Sequence, residues 1–189
     1  MRIIGGKHSG RRLGSLAGAA TRPTGDRVRE ALFNIWQARV FDAHIWDVYA
    51  GTGAIGLEAL SRGAAHAVFS ESSREALRTL RHNIALLNEG ARAEVWPKKA
   101  EDLLEGWREA APQFDLVFLD PPWRVGVSAG IRSQLWRVLA DDGMAVVESR
   151  QNAERDELTG LQELWSRRYG DTRLTAYGRS DAGQVEDLR

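Results

Sequence analysis

The chain has 189 residues, 43% hydrophobic and 28% charged, which suits one globular domain with a sizeable core. It contains no cysteine, so disulfides, zinc–thiolate sites and a Cys nucleophile are excluded. No apolar run approaches the roughly 18 residues of a membrane span. Met1-Arg2-Ile3-Ile4-Gly5-Gly6-Lys7 lacks the apolar stretch of a signal peptide, so the expected location is the cytoplasm.

The formal charge of zero hides an asymmetry. Residues 1–29 carry Arg2, Lys7, Arg11, Arg12, Arg22, Arg27 and Arg29 against one acid, Asp26. A basic arm on an acidic body either meets a polyanion or is solvated and mobile, and charge alone does not choose. The expected division is a basic arm or small hairpin over residues 1–23, followed by the main domain over 24–189.

A helix is predicted from Thr24, a competent N-cap, with Val28, Ala31, Leu32, Ile35 and Trp36 on one face. Short apolar strands then alternate with helices. His44–Tyr49 reads as the first strand, followed by a Gly-rich turn and a helix through Leu57 and Leu60. His66–Glu71 is the second strand. Ser72 or Ser73 caps a helix with Leu77, Leu80, Ile84 and Leu87 in a stripe and Gly90 near its end. Ala93–Trp96 and Phe114–Leu119 are the third and fourth strands. Ile131, Leu135, Val138 and Leu139 mark another helix, and Met144–Glu148 a fifth strand. Leu164–Tyr169 and Thr172–Tyr177 flank Gly170-Asp171 as a hairpin. The pattern predicts an α/β fold: a mostly parallel sheet, helices on both faces, and an antiparallel pair at the C-terminal end.

The first turn, Asp47-Val48-Tyr49-Ala50-Gly51-Thr52-Gly53-Ala54-Ile55-Gly56, contains G-x-G-x-x-G, and Glu71 ends the second strand 20 residues after Gly51. Glycines let backbone approach a ligand, and the carboxylate suits a ribose diol. NAD and S-adenosylmethionine both present such a ribose. Asp47, four residues before Gly51, can accept from the ammonium group of the latter or order the loop.

The fourth strand ends in Asp120-Pro121-Pro122-Trp123, at the sheet edge that adjoins the glycine turn. An exocyclic amino group is a poor nucleophile because its lone pair is delocalised into the ring. The Asp120 carboxylate and Pro121 carbonyl can each accept one N–H and leave the lone pair aimed at a methyl donor. Two prolines hold these acceptors in place, and Trp123 offers a face for a stacked base.

Further matching pieces are Arg2-Ile3-Ile4-Gly5-Gly6, Gly10-Arg11-Arg12-Leu13, Arg22-Pro23-Thr24, Asp26-Arg27-Val28-Arg29-Glu30, Leu32-Phe33-Asn34 and Gly56-Leu57-Glu58-Ala59-Leu60-Ser61-Arg62-Gly63-Ala64. With them the sequence resembles the bacterial small-subunit ribosomal RNA guanine-N2 methyltransferase family, within the Rossmann-like class I methyltransferases. The likeness covers most of the chain. It implies a seven-stranded sheet with a reversed last strand, S-adenosylmethionine as cofactor, and a guanine of small-subunit rRNA as target, met in RNA or in the assembling 30S subunit by a monomer. Catalysis then falls to Asp120, Pro121, Pro122 and Trp123. Cofactor contacts fall to Asp47, Ala50, Gly51, Thr52, Gly53, Glu71, Ser72, Ala100, Glu101 and Asp120, with no metal. RNA contacts fall to Lys7, Arg11, Arg12, Arg22 and Arg29.

The chain departs from related enzymes in having Asp120 and Trp123 where Asn and an aromatic Tyr or Phe are common. Lys98-Lys99-Ala100 stands where many class I enzymes set Asp or Asn against the adenine amino group, leaving Glu101 or Asp102 for that role. Rival readings are a DNA adenine or protein glutamine N-methyltransferase, a nicotinamide-dependent oxidoreductase, and a noncatalytic RNA-binding protein.

Overall fold

The structure is a computed structural model that describes residues 1–16, 23–107 and 113–180. Seven strands form one sheet: β1 (His44–Asp47), β2 (His66–Ser70), β3 (Ala93–Trp96), β4 (Phe114–Leu119), β5 (Leu139–Arg150), β6 (Leu161–Tyr169) and β7 (Thr172–Arg179). Their order is β3-β2-β1-β4-β5-β7-β6. The first five run parallel, while β7 pairs antiparallel with both β5 and β6. The chain winds outward from β1 through β2 to β3, then returns to β4 on the other side of β1. The C-terminal ends of β1 and β4 therefore flank the topological switch point, where open α/β sheets bind ligands.

Helices α1 (Pro23–Trp36), α2 (Ala54–Ser61) and α3 (Arg74–Leu87) cover one face, and α4 (Ala100–Glu105) and α5 (Ala129–Gln134) the other. The first core joins Leu32, Phe33 and Trp36 of α1 with Leu57 and Leu60 of α2 and Leu80, Ile84 and Leu87 of α3. The second centres on Trp46, stacked on Phe114, with Leu103, Ile131 and Leu135 around it. No helix among the described residues is long and apolar enough to cross a membrane.

Several element bounds differ from expectation. Helix α1 begins at Pro23, one residue before the expected cap. The helix predicted through Leu139 ends as a short 3-10 turn, Leu135–Arg137, and Leu139 already belongs to β5. Phe114 pairs with Leu139 but Leu116 with Met144, so Ala140–Gly143 bulges outward. Between the two serines offered as caps for α3, Ser73 takes the role and accepts from Ala76 N–H.

The N-terminal segment forms a hairpin that packs into the first core. Arg2 bridges Arg12, and Ile3 N–H donates to Arg11 C=O at 2.9 Å. Ile3 and Leu13 are buried. The hairpin is fixed by side chains far along the chain. Glu58, fully buried on α2, accepts Ile4 N–H and Gly5 N–H, each at 2.7 Å, and Arg62 Nε at 2.8 Å. Glu89 takes Lys7, His8 and Arg92 at 2.6–2.9 Å. Burial pushes the Glu89 carboxyl up, but these three partners outweigh it and hold the group below the usual carboxylate range. Asn83 of α3 accepts Gly14 N–H at 2.7 Å and donates to Thr52 C=O at 2.9 Å, tying the hairpin's exit to the glycine turn.

Candidate active site

The C-terminal ends of the strands open into a pocket of about 550 Å³, within the range of small-molecule sites. Each strand end contributes in turn: Tyr49 after β1, Glu71 and Ser72 after β2, Lys98 to Glu101 after β3, and Asp120-Pro121-Pro122-Trp123 after β4. The pocket thus brings together Glu71, Ser72, Ala100, Glu101 and the whole tetrapeptide. Asp102 does not line it, so of the two carboxylates offered for adenine only Glu101 reaches the pocket.

Ala50, Gly51, Thr52, Gly53 and Asp47 lie beside the pocket rather than in its wall. The turn is coupled to it through Glu71, which accepts Gly51 N–H at 2.9 Å and Ser73 N–H at 2.6 Å. These two donors fix the carboxylate, whose remaining lone pairs stay available to a ligand. The later glycines of the motif serve packing. Gly53 has φ +83° and a Cβ there would lie 2.4 Å from Leu80; one on Gly56 would lie 2.3 Å from the Phe69 ring. Both allow α2 to sit close on its neighbours, so only Gly51, whose Cβ would meet open space, leaves room above the turn.

Asp47 is buried beneath this turn and accepts Gly56 N–H at 3.1 Å. Burial pushes its carboxyl up to about 7, opposed by the Gly56 hydrogen bond and helped by the charges of Asp120 and Glu71. The folded chain therefore keeps this proton at pH values where the unfolded chain, with an ordinary value of 3.8, has released it. The associated stability is complete below about pH 4 and is lost as pH rises through about 7. Asp47→Asn cannot lose a proton, so its stability relative to wild type should increase from about pH 4 to pH 8 when urea midpoints are compared. A constant difference would show that Asp47 does not titrate in that window.

Beyond the tetrapeptide, Pro122 C=O accepts Val125 N–H at 2.8 Å and Gly126 N–H at 3.1 Å, folding residues 122–126 into a tight turn. Trp123 is half-buried, and the Arg150 guanidinium lies over its ring, 5.1 Å from the centroid. Ser128 caps α5 and adjoins the Tyr49 hydroxyl. Burial pushes the Tyr49 phenol up to about 12, and Glu101 adds to the rise, so it stays neutral. Tyr49, Ser128 and Arg150 were missed from sequence. The place of Tyr49 between Asp47 and Gly51 was the one available signal.

The basic residues expected to meet RNA divide sharply. Arg29 is only 3% exposed and bonds Arg2 C=O and Asp26, so it braces the hairpin and does not reach the surface. Lys7 is ion-paired with Glu89. Arg11 is exposed and donates to Leu86 C=O at 2.8 Å, and Arg12 is exposed. Arg22 lies outside the described residues.

The family model for conserved hypothetical protein 95 matches residues 1–178. The chain is 41% identical over 169 residues to ribosomal RNA small subunit methyltransferase D of Escherichia coli (strain K12), covering 88% of this chain and 81% of that one. It is 33% identical over 180 residues to a candidate rRNA methyltransferase of Bacillus subtilis (strain 168), covering 94% and 98%. A candidate methyltransferase of known structure, yhhF from Escherichia coli, superposes with a TM-score of 0.81 at 36% identity, covering 95% and 97%. The reversed β7, the glycine turn and the proline motif thus occur together in a chain that belongs to the conserved hypothetical protein 95 family, the family of ribosomal RNA small subunit methyltransferase D.

Proposed function

We propose that this chain transfers the methyl group of S-adenosylmethionine to the exocyclic N2 of a guanine in small-subunit rRNA. One placement carries the reading: Glu71 and Asp120, from the ends of different strands, line a single pocket with Trp123 beside them. The relatives named as rRNA methyltransferases support RNA as the substrate.

The pocket's own chemistry fits this cofactor. Glu71, Glu101 and Asp120 line it against Lys98 and Lys99, an excess of carboxylates that suits a ligand bearing an ammonium and a sulfonium. At the N-terminus of α2 the Gly56 N–H is taken by the Asp47 carboxyl group, which leaves one donor fewer for the pyrophosphate of a dinucleotide. When bound, S-adenosylmethionine supplies an electrophilic methyl on positively charged sulfur. The chain's residues do the rest. Glu71 holds the ribose hydroxyls, Asp120 and the Pro121 carbonyl each accept one amino N–H, and Trp123 supports the base. Asp120 would thereby hold the amino proton that the nitrogen must give up as it takes the methyl from sulfur and the carbon–sulfur bond breaks.

Glu71→Ala removes a charged acceptor from the ribose, a loss of about 1.5–3 kcal/mol. Calorimetry with S-adenosylhomocysteine should show affinity weakened by at least about tenfold. Unchanged affinity in a folded variant would take Glu71 out of the cofactor site. The substrate is tested by mapping methylated guanines in small-subunit rRNA from a strain lacking this protein. One N2-methylguanine should disappear and return on complementation; an unaltered pattern would defeat the reading. A thermal shift with NAD instead of S-adenosylhomocysteine would favour the oxidoreductase.

A further inference from the structure

The arginines of α3 stand apart from the other basic residues. Arg74, Arg78 and Arg81 are exposed, and none makes an ion pair or hydrogen bond among the described residues. At spacings of four and three they share one side of the helix, away from the buried Leu77, Leu80 and Ile84.

Among the described residues no ion pair repays this arrangement, although Glu75 stands three residues before Arg78. Like charges one turn apart destabilise a helix by about 0.2–0.5 kcal/mol per pair. Arg74 is also the first residue of α3, where the helix dipole disfavours a cation. The stripe connects the two places that matter for substrate. It starts one turn from the pocket, since Ser72 lines the pocket and Ser73 caps α3. At the other end, Leu86 C=O receives the exposed Arg11 of the hairpin. His82 is exposed too, and a Cβ on Gly14 would lie 3.5 Å from its ring, so hairpin and helix form one surface.

We infer that Arg74, Arg78 and Arg81 of α3 form a phosphate-binding track, continuous with Arg11, that holds the RNA flanking the target base. The inference rests on reading the pocket as an rRNA methyltransferase site. It adds a second electrostatic contact to the hairpin's: Lys7 of the hairpin is ion-paired with Glu89 and Arg29 of α1 is turned inward to brace Arg2, while α3 keeps its charge for solvent or ligand. Phosphate contacts of this kind position RNA without reading its sequence.

The test uses the full chain with Arg78→Ala/Arg81→Ala, Arg78→Glu/Arg81→Glu and Arg78→Lys/Arg81→Lys, leaving Arg74 intact beside the pocket. The probes are a small-subunit rRNA transcript and 30S particles from a strain lacking the protein. The alanine pair should weaken RNA binding and flatten its log–log salt dependence by up to about 1.4, at about 0.7 per lost single-strand contact. The loss should fall on KM, with kcat at saturating RNA and S-adenosylhomocysteine affinity near wild type. Charge reversal should be worse, and the lysine pair should recover most of the affinity. Wild-type RNA affinity and slope in the glutamate pair would overturn the track. If wild type methylates neither probe, the reading of the pocket fails; if it methylates and the glutamate pair binds normally, only the track fails.

Discussion

Asp120→Ala should slow methyl transfer to RNA by about 10²–10⁴-fold, the range over which a positioned proton acceptor contributes, while leaving S-adenosylhomocysteine affinity close to wild type. The selectivity follows from where the residue sits. Asp120 is exposed at the end of β4, on the pocket wall supplied by the tetrapeptide, whereas Glu71 and the glycine turn stand at the ends of β2 and β1. Losing Asp120 also removes a negative charge that helps to keep the Asp47 proton in place, so the cofactor side of the pocket becomes no less anionic at Asp47. Asp120→Asn keeps one acceptor oxygen and should fall between wild type and alanine. Single-turnover transfer to rRNA, measured beside a cofactor titration, separates the two effects. A normal single-turnover rate in Asp120→Ala would show that the amino group is not oriented there.

The second large effect concerns stability. Glu58 is completely buried and joins α2 to the hairpin through two backbone N–H groups and the Arg62 guanidinium, with Arg29 Nε 4.0 Å away. Glu58→Ala leaves the two amides and Arg62 without their buried acceptor, and the 3%-exposed Arg29 with Asp26 as its one remaining carboxylate among the described residues. Removing one partner of a buried ion pair costs about 3–5 kcal/mol, a large part of the roughly 5–15 kcal/mol that holds a domain together. At about 2–4 °C per kcal/mol for a chain of this size, the melting temperature should drop by roughly 6–20 °C. Glu58→Gln keeps the shape and one acceptor and should lose less. The Ile4 and Gly5 amides should exchange faster in both variants. A melting temperature within about 2 °C of wild type, less than a single kcal/mol, would mean that the hairpin is held by its apolar contacts alone.

Strand positions were legible because buried parallel strands read as short apolar runs, and β3 and β4 match their expected bounds. Helix α4 was not foreseen: six residues after Lys98-Lys99 carry too little periodicity to register. Val138 and Leu139 fitted a helical spacing, but the bulge at Ala140–Gly143 lets Leu139 pair with Phe114 on the sheet. The pocket residues at the strand ends were legible because their chemistry is tied to a local motif. The roles of the basic residues were not. Counting charges along residues 1–29 cannot reveal that Arg29 packs beside Glu58 or that Lys7 pairs with Glu89. For the same reason the arginines of α3, diluted by apolar neighbours in sequence, stand out only in space, where none has an ion-pair partner among the described residues.

The docking of the hairpin also orders events during synthesis. Its first fourteen residues are made first, yet the groups that hold them, Glu58, Asn83 and Glu89, come 44 to 75 residues after Gly14. At elongation rates of about 5–20 residues per second, the nascent hairpin waits roughly 4–15 s for its last partner. The core that Ile3 and Leu13 enter is also drawn from later segments, with residues of α1, α2 and α3 beside Leu116, Phe118, Met144 and Val146 of the sheet. Full closure of the hairpin therefore follows the making of α3, so a chain stalled before Glu89 emerges lacks the carboxylate that holds Lys7 and His8.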